Sequence, residues 1–127
     1  QASILSEKIK YLNNLNNKRK IIANFYTQNI KNKKISLVNY SKNSVYHQYV
    51  ILVKNRISLI KLLKKKKIPF GIHYPKPLNK LDFFKKLFNN KKYPNAEKFA
   101  SKCLSLPIDP YLNIKEITKI TKVLNSF

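Results

Sequence analysis

The sequence predicts an α+β fold, a small, mostly antiparallel sheet packed by helices and entered by a long N-terminal helix. Three observations carry that prediction. From Ile4 to Ile30 apolar residues recur at three- and four-residue steps with neither Pro nor Gly between them, the mark of one helical stripe. From Val45 to Val53 they alternate and then run together, as in a strand mostly covered on both faces. Beyond Asn113 the helical spacing returns behind a capping signal.

The first stripe comprises Leu5, Ile9, Leu12, Leu15, Ile22, Tyr26 and Ile30. The Asn pairs at 13–14 and 16–17 are poor helix formers, so packing must hold this helix. A polar connection from Ile35 to Asn43 includes a short strand at Ile35–Val38. After the Val45–Val53 strand, Asn55 caps a helix with Ile57, Ile60, Leu62 and Leu63 turned inward. Its last turn, Lys64–Lys67, places four cations at the negative end of the helix dipole. Pro69 to His73 reads as a second strand. Pro75 and Pro77 then fix an extended loop. Short helices follow at Leu81–Phe88 and at Ala96–Leu104, the latter with Phe99, Ala100, Cys103 and Leu104 on one face. Ser105–Ile108 is extended. Asn113 and Glu116 form a capping-box pattern ahead of Ile114, Ile117, Ile120, Val123, Leu124 and Phe127.

At 127 residues the chain reads as a single domain (1–127), a connecting helix over 1–30 and an α+β body over 31–127. It has no methionine and begins with Gln1, so a processed product or a fragment is expected. Nothing near Gln1 resembles a signal peptide, and no apolar run approaches the roughly 20 residues of a membrane span. A cytoplasmic location without membrane contact is expected. One cysteine, Cys103, excludes a disulfide scaffold, and its place on an apolar face marks it as a core thiol.

The formal charge of +22 first suggests a polyanion partner. Yet 25 of the 27 cations are Lys, spread along the whole chain, whereas bidentate recognition of bases or phosphates favours Arg. Asn (16) and Ile (15) are inflated beside Lys, and all three share A/T-rich codons. Compositional drift explains all three excesses; selection for nucleic acid explains one. No specific nucleic-acid partner is expected, and a basic nucleic-acid-binding module stays the alternative reading.

Five acids (Glu7, Asp82, Glu97, Asp109, Glu116) form no dyad, and His47 and His73 lie 26 residues apart. A zinc or two-metal centre is therefore not expected. With a single glycine, Gly71, neither a Walker loop nor a glycine-rich phosphate cradle can form. The chain carries no recognisable catalytic apparatus of its own. His47, inside the predicted strand, is expected to make structural hydrogen bonds. His73 ends a strand before a proline-stiffened loop, where a side chain can reach beyond its own domain.

The stretch 69–110, which holds the prolines, Gly71 and His73, is the least generic part of the chain. PFGIHYPKPL followed by YPNAEKFASKCLSLPIDP resembles the C-terminal segment of the DegT/DnrJ/StrS family of nucleotide-sugar aminotransferases. There a G-I-x-Y/H-P-x-P-L loop precedes P-x-A-E and then L-S-L-P-x-x-P. QASILSEKIKYLNNLNNKRKIIANFY is similar to the family's opening helix, and VYHQYVILVKNR to its H-x-Y-x-I-R-V strand. The resemblance implies the small C-terminal domain of a fold-type I enzyme dependent on pyridoxal phosphate, with the catalytic domain upstream of Gln1. That domain would bind the cofactor and carry the Schiff-base lysine, which no lysine here matches. The fragment alone would be inactive. The implied reaction moves an amino group from an amino acid, commonly glutamate, to a nucleotide-linked keto-sugar for polysaccharides or antibiotics, in a homodimer. His73 and Tyr74 match residues near the family's active-site mouth, so the resemblance makes them substrate-binding candidates. A structural remnant of a truncated gene is a further alternative. Three departures stand out: Lys67 where Gly is usual, Asn79-Lys80-Leu81 where the family has H-x-Q, and Phe84 where an aromatic hydroxyl is expected. Lys67, at a left-handed turn, should cost about 1 kcal/mol relative to Gly.

Overall fold

The computed structural model describes residues 1–88 and 91–127. In chain order the elements are α1 (Ala2–Ile9), α2 (Leu12–Asn29), β1 (Ile35–Leu37), β2 (Tyr49–Val53), α3 (Arg56–Lys65), a 3₁₀ turn (Leu78–Lys80), α4 (Asp82–Lys85), α5 (Pro94–Lys102), β3 (Cys103–Leu106) and α6 (Ile114–Asn125). The strands form one sheet in the order β1-β2-β3. The expected α+β class, with a small, mostly antiparallel sheet and helices packed around it, is what the chain adopts. The elements fall into two units, residues 1–32, 39–49 and 107–127 in one, residues 33–38 and 50–106 in the other.

The first unit joins the N- and C-terminal helices. Residues 1–30, expected as one long helix, form two, because the Tyr11 amide bonds back only three residues to the Lys8 carbonyl (3.1 Å) and tightens the turn at Lys10–Tyr11. The apolar stripe is used unevenly. Ile22, Ala23, Tyr26 and Ile30 are buried, whereas Ile4, Leu5 and Ile9 of α1 are each at least 60% exposed. α6 buries Ile117, Ile120, Val123 and Leu124 and opens on the expected capping box. Asn113 Oδ1 accepts from the Glu116 amide (3.0 Å), and Glu116 Oε2 from the Asn113 amide (2.8 Å). Its far end ties to that of α2, where Asn125 donates to the Asn29 carbonyl (2.9 Å) and accepts from the Lys31 amide (2.8 Å).

Tyrosines close this unit. Tyr26 donates to the Pro107 carbonyl at 3.0 Å, and its ring meets that of Tyr49 at 5.2 Å between centroids. Thr27 Oγ1 donates to the Ala23 carbonyl, so the Tyr49 hydroxyl, 2.9 Å away, is the donor to Thr27. Burial pushes both phenols above their ordinary range. The strand starts at Tyr49, not Val45, because Tyr46 adopts a positive φ of 51° and turns the chain. His47 is therefore exposed and outside the ladder, which corrects its expected structural role.

The second unit is built on the sheet. β1 and β2 are antiparallel in the register Ile35↔Val53, Ser36↔Leu52, Leu37↔Ile51. Ile51, Val53, Leu59, Leu63, Cys103 and Leu104 are wholly buried, so Cys103 is the core thiol its setting suggested. α3 is capped as expected, Asn55 Oδ1 accepting from the Ser58 amide (3.2 Å). Its inward pair is Leu59 and Leu63, one turn apart, while Ile57 is 70% exposed, which corrects the predicted face. The helix stops in a Schellman motif. The Lys67 amide reaches the Lys64 carbonyl, the Ile68 amide reaches the Leu63 carbonyl, and Lys67 sits at φ 54°. The left-handed residue that the sequence pointed to is thus a lysine in a position suited to glycine.

Two further boundaries move. The strand expected at 69–73 contracts to one antiparallel bridge between Gly71 and Ser105, since Pro69 has no amide to contribute to a ladder. α5 ends at Lys102 and passes into β3 with no spacer, Cys103 being extended at ψ 141°. The Arg56 guanidinium holds this junction, Nη1 donating to the carbonyls of Ala100 (2.6 Å) and Cys103 (3.1 Å). A cation is favoured at a helix C-terminus. No helix among the described residues is long and apolar enough to cross a membrane.

Candidate functional site

Gly71 places the first of the two candidate residues. Its amide and carbonyl pair with the Ser105 carbonyl (3.0 Å) and amide (2.8 Å), which pins the loop to β3. A Cβ built on Gly71 would overlap the His73 ring carbon Cε1 and approach Nδ1 to 3.1 Å. Any side chain here would have to displace the imidazole, which lies over the Gly71 Cα. His73 Nδ1 then meets the buried Ser105 Oγ at 2.9 Å. The histidine is partly buried and turned towards β3.

Tyr74 turns the other way. Its side chain is 72% exposed and its ring meets His73 edge-on at 5.7 Å between centroids. Its carbonyl accepts from the Cys103 thiol at 3.6 Å, so the backbone is anchored while the phenol is free to contact a ligand. Tyr74 borders an open cleft of about 590 Å³, a size suited to one small ligand. Pro75, Leu78, Phe88, Tyr93 and Phe99 form much of its wall. Pro75 and Pro77 stiffen one side, as expected. His73 does not line the cleft. The two candidates are therefore adjacent, with Tyr74 at the cavity and His73 behind it.

The opposite wall is fastened by residues whose importance the sequence hid. Asn79 is 6% exposed and donates to the Lys91 carbonyl (3.2 Å) and to Glu97 Oε1 (3.0 Å). Glu97 Oε1 also accepts from the Tyr93 amide at 3.1 Å. Those two bonds, the Tyr93 amide foremost, hold the Glu97 carboxyl below the usual carboxylate range. At the site of the departure from H-x-Q, Asn79 thus knits the 3₁₀ turn to the start of α5. The P-x-A-E spacing was the available signal: Pro94 begins the helix and Glu97 reaches back to bind the free amide before it. Ser105 had no comparable signal beyond the L-S-L run.

The cleft can bind and orient; it holds no carboxylate and no histidine among its lining residues. Among the described residues no three His, Cys, Asp or Glu side chains cluster as a metal site. The described residues also offer pyridoxal phosphate no enclosed lysine. It needs a lysine amine in an enclosed setting and a phosphate cradle at a helix start or glycine-rich turn. No lysine among the described residues is buried.

The fold is that of the aminotransferases to which the chain is similar. Residues 1–125 match the DegT/DnrJ/EryC1/StrS aminotransferase family, and the chain belongs to it. It is 34% identical, over its whole length, to the dTDP-3-amino-3,6-dideoxy-alpha-D-galactopyranose transaminase of Aneurinibacillus thermoaerophilus. Over 99% of its length it is 32% identical to the UDP-2-acetamido-2-deoxy-3-oxo-D-glucuronate aminotransferase of Pseudomonas aeruginosa. The crystal structure of a DegT DnrJ EryC1 StrS aminotransferase from Brucella abortus superposes on the whole chain with a TM-score of 0.89 at 31% identity. The chain spans 35% of the length of each of these three proteins.

Proposed function

We propose that this chain is the C-terminal part of a pyridoxal-phosphate-dependent aminotransferase that transfers an amino group from an amino acid, glutamate in the first instance, to a nucleotide-linked keto-sugar. Polysaccharide or antibiotic-sugar biosynthesis is the setting. The observation that carries the reading is the Tyr74 cleft, on a proline-stiffened loop, in a chain that matches the family from residue 1 to 125. The cofactor supplies the electron sink for amino transfer and is held, with its Schiff-base lysine, outside this chain. Within it Tyr74 contacts the sugar nucleotide, and His73, braced by Ser105, sets the backbone that presents Tyr74. The enzyme works in the cytoplasm as a homodimer, and this chain alone does not turn over. The exposed apolar residues of α1 support a covering surface elsewhere in the enzyme; they fit a remnant of a truncated gene equally well.

The test uses the full-length enzyme with pyridoxal phosphate, glutamate and a panel of dTDP- and UDP-linked keto-sugars, with the amino-sugar nucleotide detected by mass. Turnover is expected with one of them. Tyr74→Ala should lower kcat/KM by about tenfold, roughly 1.4 kcal/mol of transition-state stabilisation, with melting unchanged. Unaltered kcat/KM in that variant would remove Tyr74 from the site, and saturable turnover by the 127-residue chain alone would overturn the division of labour. No product from any sugar would favour the remnant.

A further inference from the structure

A second concavity, of about 630 Å³, lies within the sheet-bearing unit and shares Phe99 with the Tyr74 cleft. Five of its nine lining residues are lysines (Lys33, Lys34, Lys54, Lys98 and Lys102), against 25 in the 127-residue chain. No carboxylate is among the nine, and Lys33, Lys54, Lys98 and Lys102 make no ion pair among the described residues. Ser36 and Asn95 add a hydroxyl and an amide, while Leu52 and Phe99 provide an apolar floor.

The fold brings these cations together. Lys34 precedes Ile35 and Lys54 follows Val53, the last pair of the β1–β2 ladder, so both flank the same end of it. One turn of α5 separates Lys98 from Lys102. Like charges at both spacings are unfavourable, so the concavity gathers repulsions that scattered lysines would avoid. Compositional drift raises the number of lysines but does not converge them on one acid-free hollow. A bound anion with several charges relieves the repulsion, and an open hollow of about 630 Å³ has room for a small ligand, whereas a duplex backbone would call for a long stripe of cations. We propose that this concavity binds the diphosphate group of a small molecule, with Ser36 and Asn95 adding hydrogen bonds to its oxygens.

The test is isothermal titration of the full chain with sodium pyrophosphate and with a nucleoside diphosphate at about 0.15 M salt, where the long-range field is screened. Saturable binding at one site is expected for both, and tighter binding of the nucleotide would assign its base to the Leu52–Phe99 floor. Each charge-assisted contact counts for less when exposed than when buried, and with two removed together Lys98→Gln/Lys102→Gln should weaken binding about tenfold or more. Lys33→Gln/Lys54→Gln should do the same, which guards against misfolding of either pair. Lys115→Gln/Lys119→Gln, equal in charge but on α6, should leave the affinity nearly unchanged. Absence of saturation, or equal weakening by all three pairs, would overturn the site. So would duplex DNA binding that the cleft pairs weaken more than they weaken pyrophosphate binding, which would assign the cations to nucleic acid.

Discussion

Replacing Gly71 by alanine places a Cβ where the His73 ring lies. No positive φ is involved, so alanine suits the backbone and even gains about 0.4–1 kcal/mol from a less flexible unfolded chain. The loss comes from the ring. Displacing it costs about 1–3 kcal/mol of overpacking, and the 2.9 Å bond between Nδ1 and Ser105 Oγ takes roughly 1 kcal/mol with it. A net loss of about 2 kcal/mol is expected, or roughly 6–10 °C in Tm for a chain of this size. His73→Ala alone should lose only the hydrogen bond, about 1 kcal/mol. The double variant should therefore be about as stable as His73→Ala, because the clash has no partner left. Urea unfolding suits the measurement, followed by tyrosine fluorescence since the chain has eight Tyr and no Trp. If the two losses simply add, to within about 0.5 kcal/mol, the ring does not occupy the space over Gly71 and the account of the loop is wrong.

Other consequences can be measured in the same way. Lys67→Gly should stabilise the chain by about 1 kcal/mol, since φ 54° suits glycine; a lower Tm in that variant would contradict the Schellman assignment. Arg56→Ala removes the guanidinium donor from the Ala100 and Cys103 carbonyls, leaving the first only the weak Cys103 thiol, and should cost about 2–3 kcal/mol in urea unfolding, a loss under about 0.5 kcal/mol counting against it. The lowered pKa of Glu97 adds stability that is complete above the ordinary carboxylate pKa and is lost as pH falls through the folded value. Glu97→Gln should accordingly flatten the acid side of the stability–pH curve, and an unchanged slope would refute that contribution.

The parts of the fold written in local chemistry were legible. The Asn113–Glu116 box, the Asn55 cap and the left-handed turn at Lys67 each depend on residues within a few positions of one another. So did the apolar run at Tyr49–Val53, whose burial follows from its composition. Where tertiary context decides, the sequence misled. The alternation at 45–48 looked like strand until Tyr46 took a positive φ, and His47 left the sheet with it. Ile57 has the right hydrophobicity but the wrong azimuth, and Leu59 took its place. The site divides along the same line. His73 and Tyr74 were singled out as candidates through the Gly71–Leu78 motif, but that the first meets Ser105 and the second borders the cleft depends on a bridge between residues 34 apart. The hydrogen bonds of Asn79 and Arg56 are equally long-range and left no periodic trace.

The spacer-free passage from α5 into β3 couples two periodicities. A residue added between Lys102 and Cys103 would have to be absorbed by turning the helix through about 100° or by stepping the strand to its opposite face. The first choice sweeps Ala100 out of the core; the second carries Ser105 away from Gly71 and His73. Cys103 to Leu106 are all buried, so neither face of the strand can accept the other's side chains. The join therefore admits substitution but not a change of length, whereas the exposed turn at Ser41–Asn43 is free to vary in both. Where this segment diverges among related proteins, its residue count should hold long after its side chains have changed.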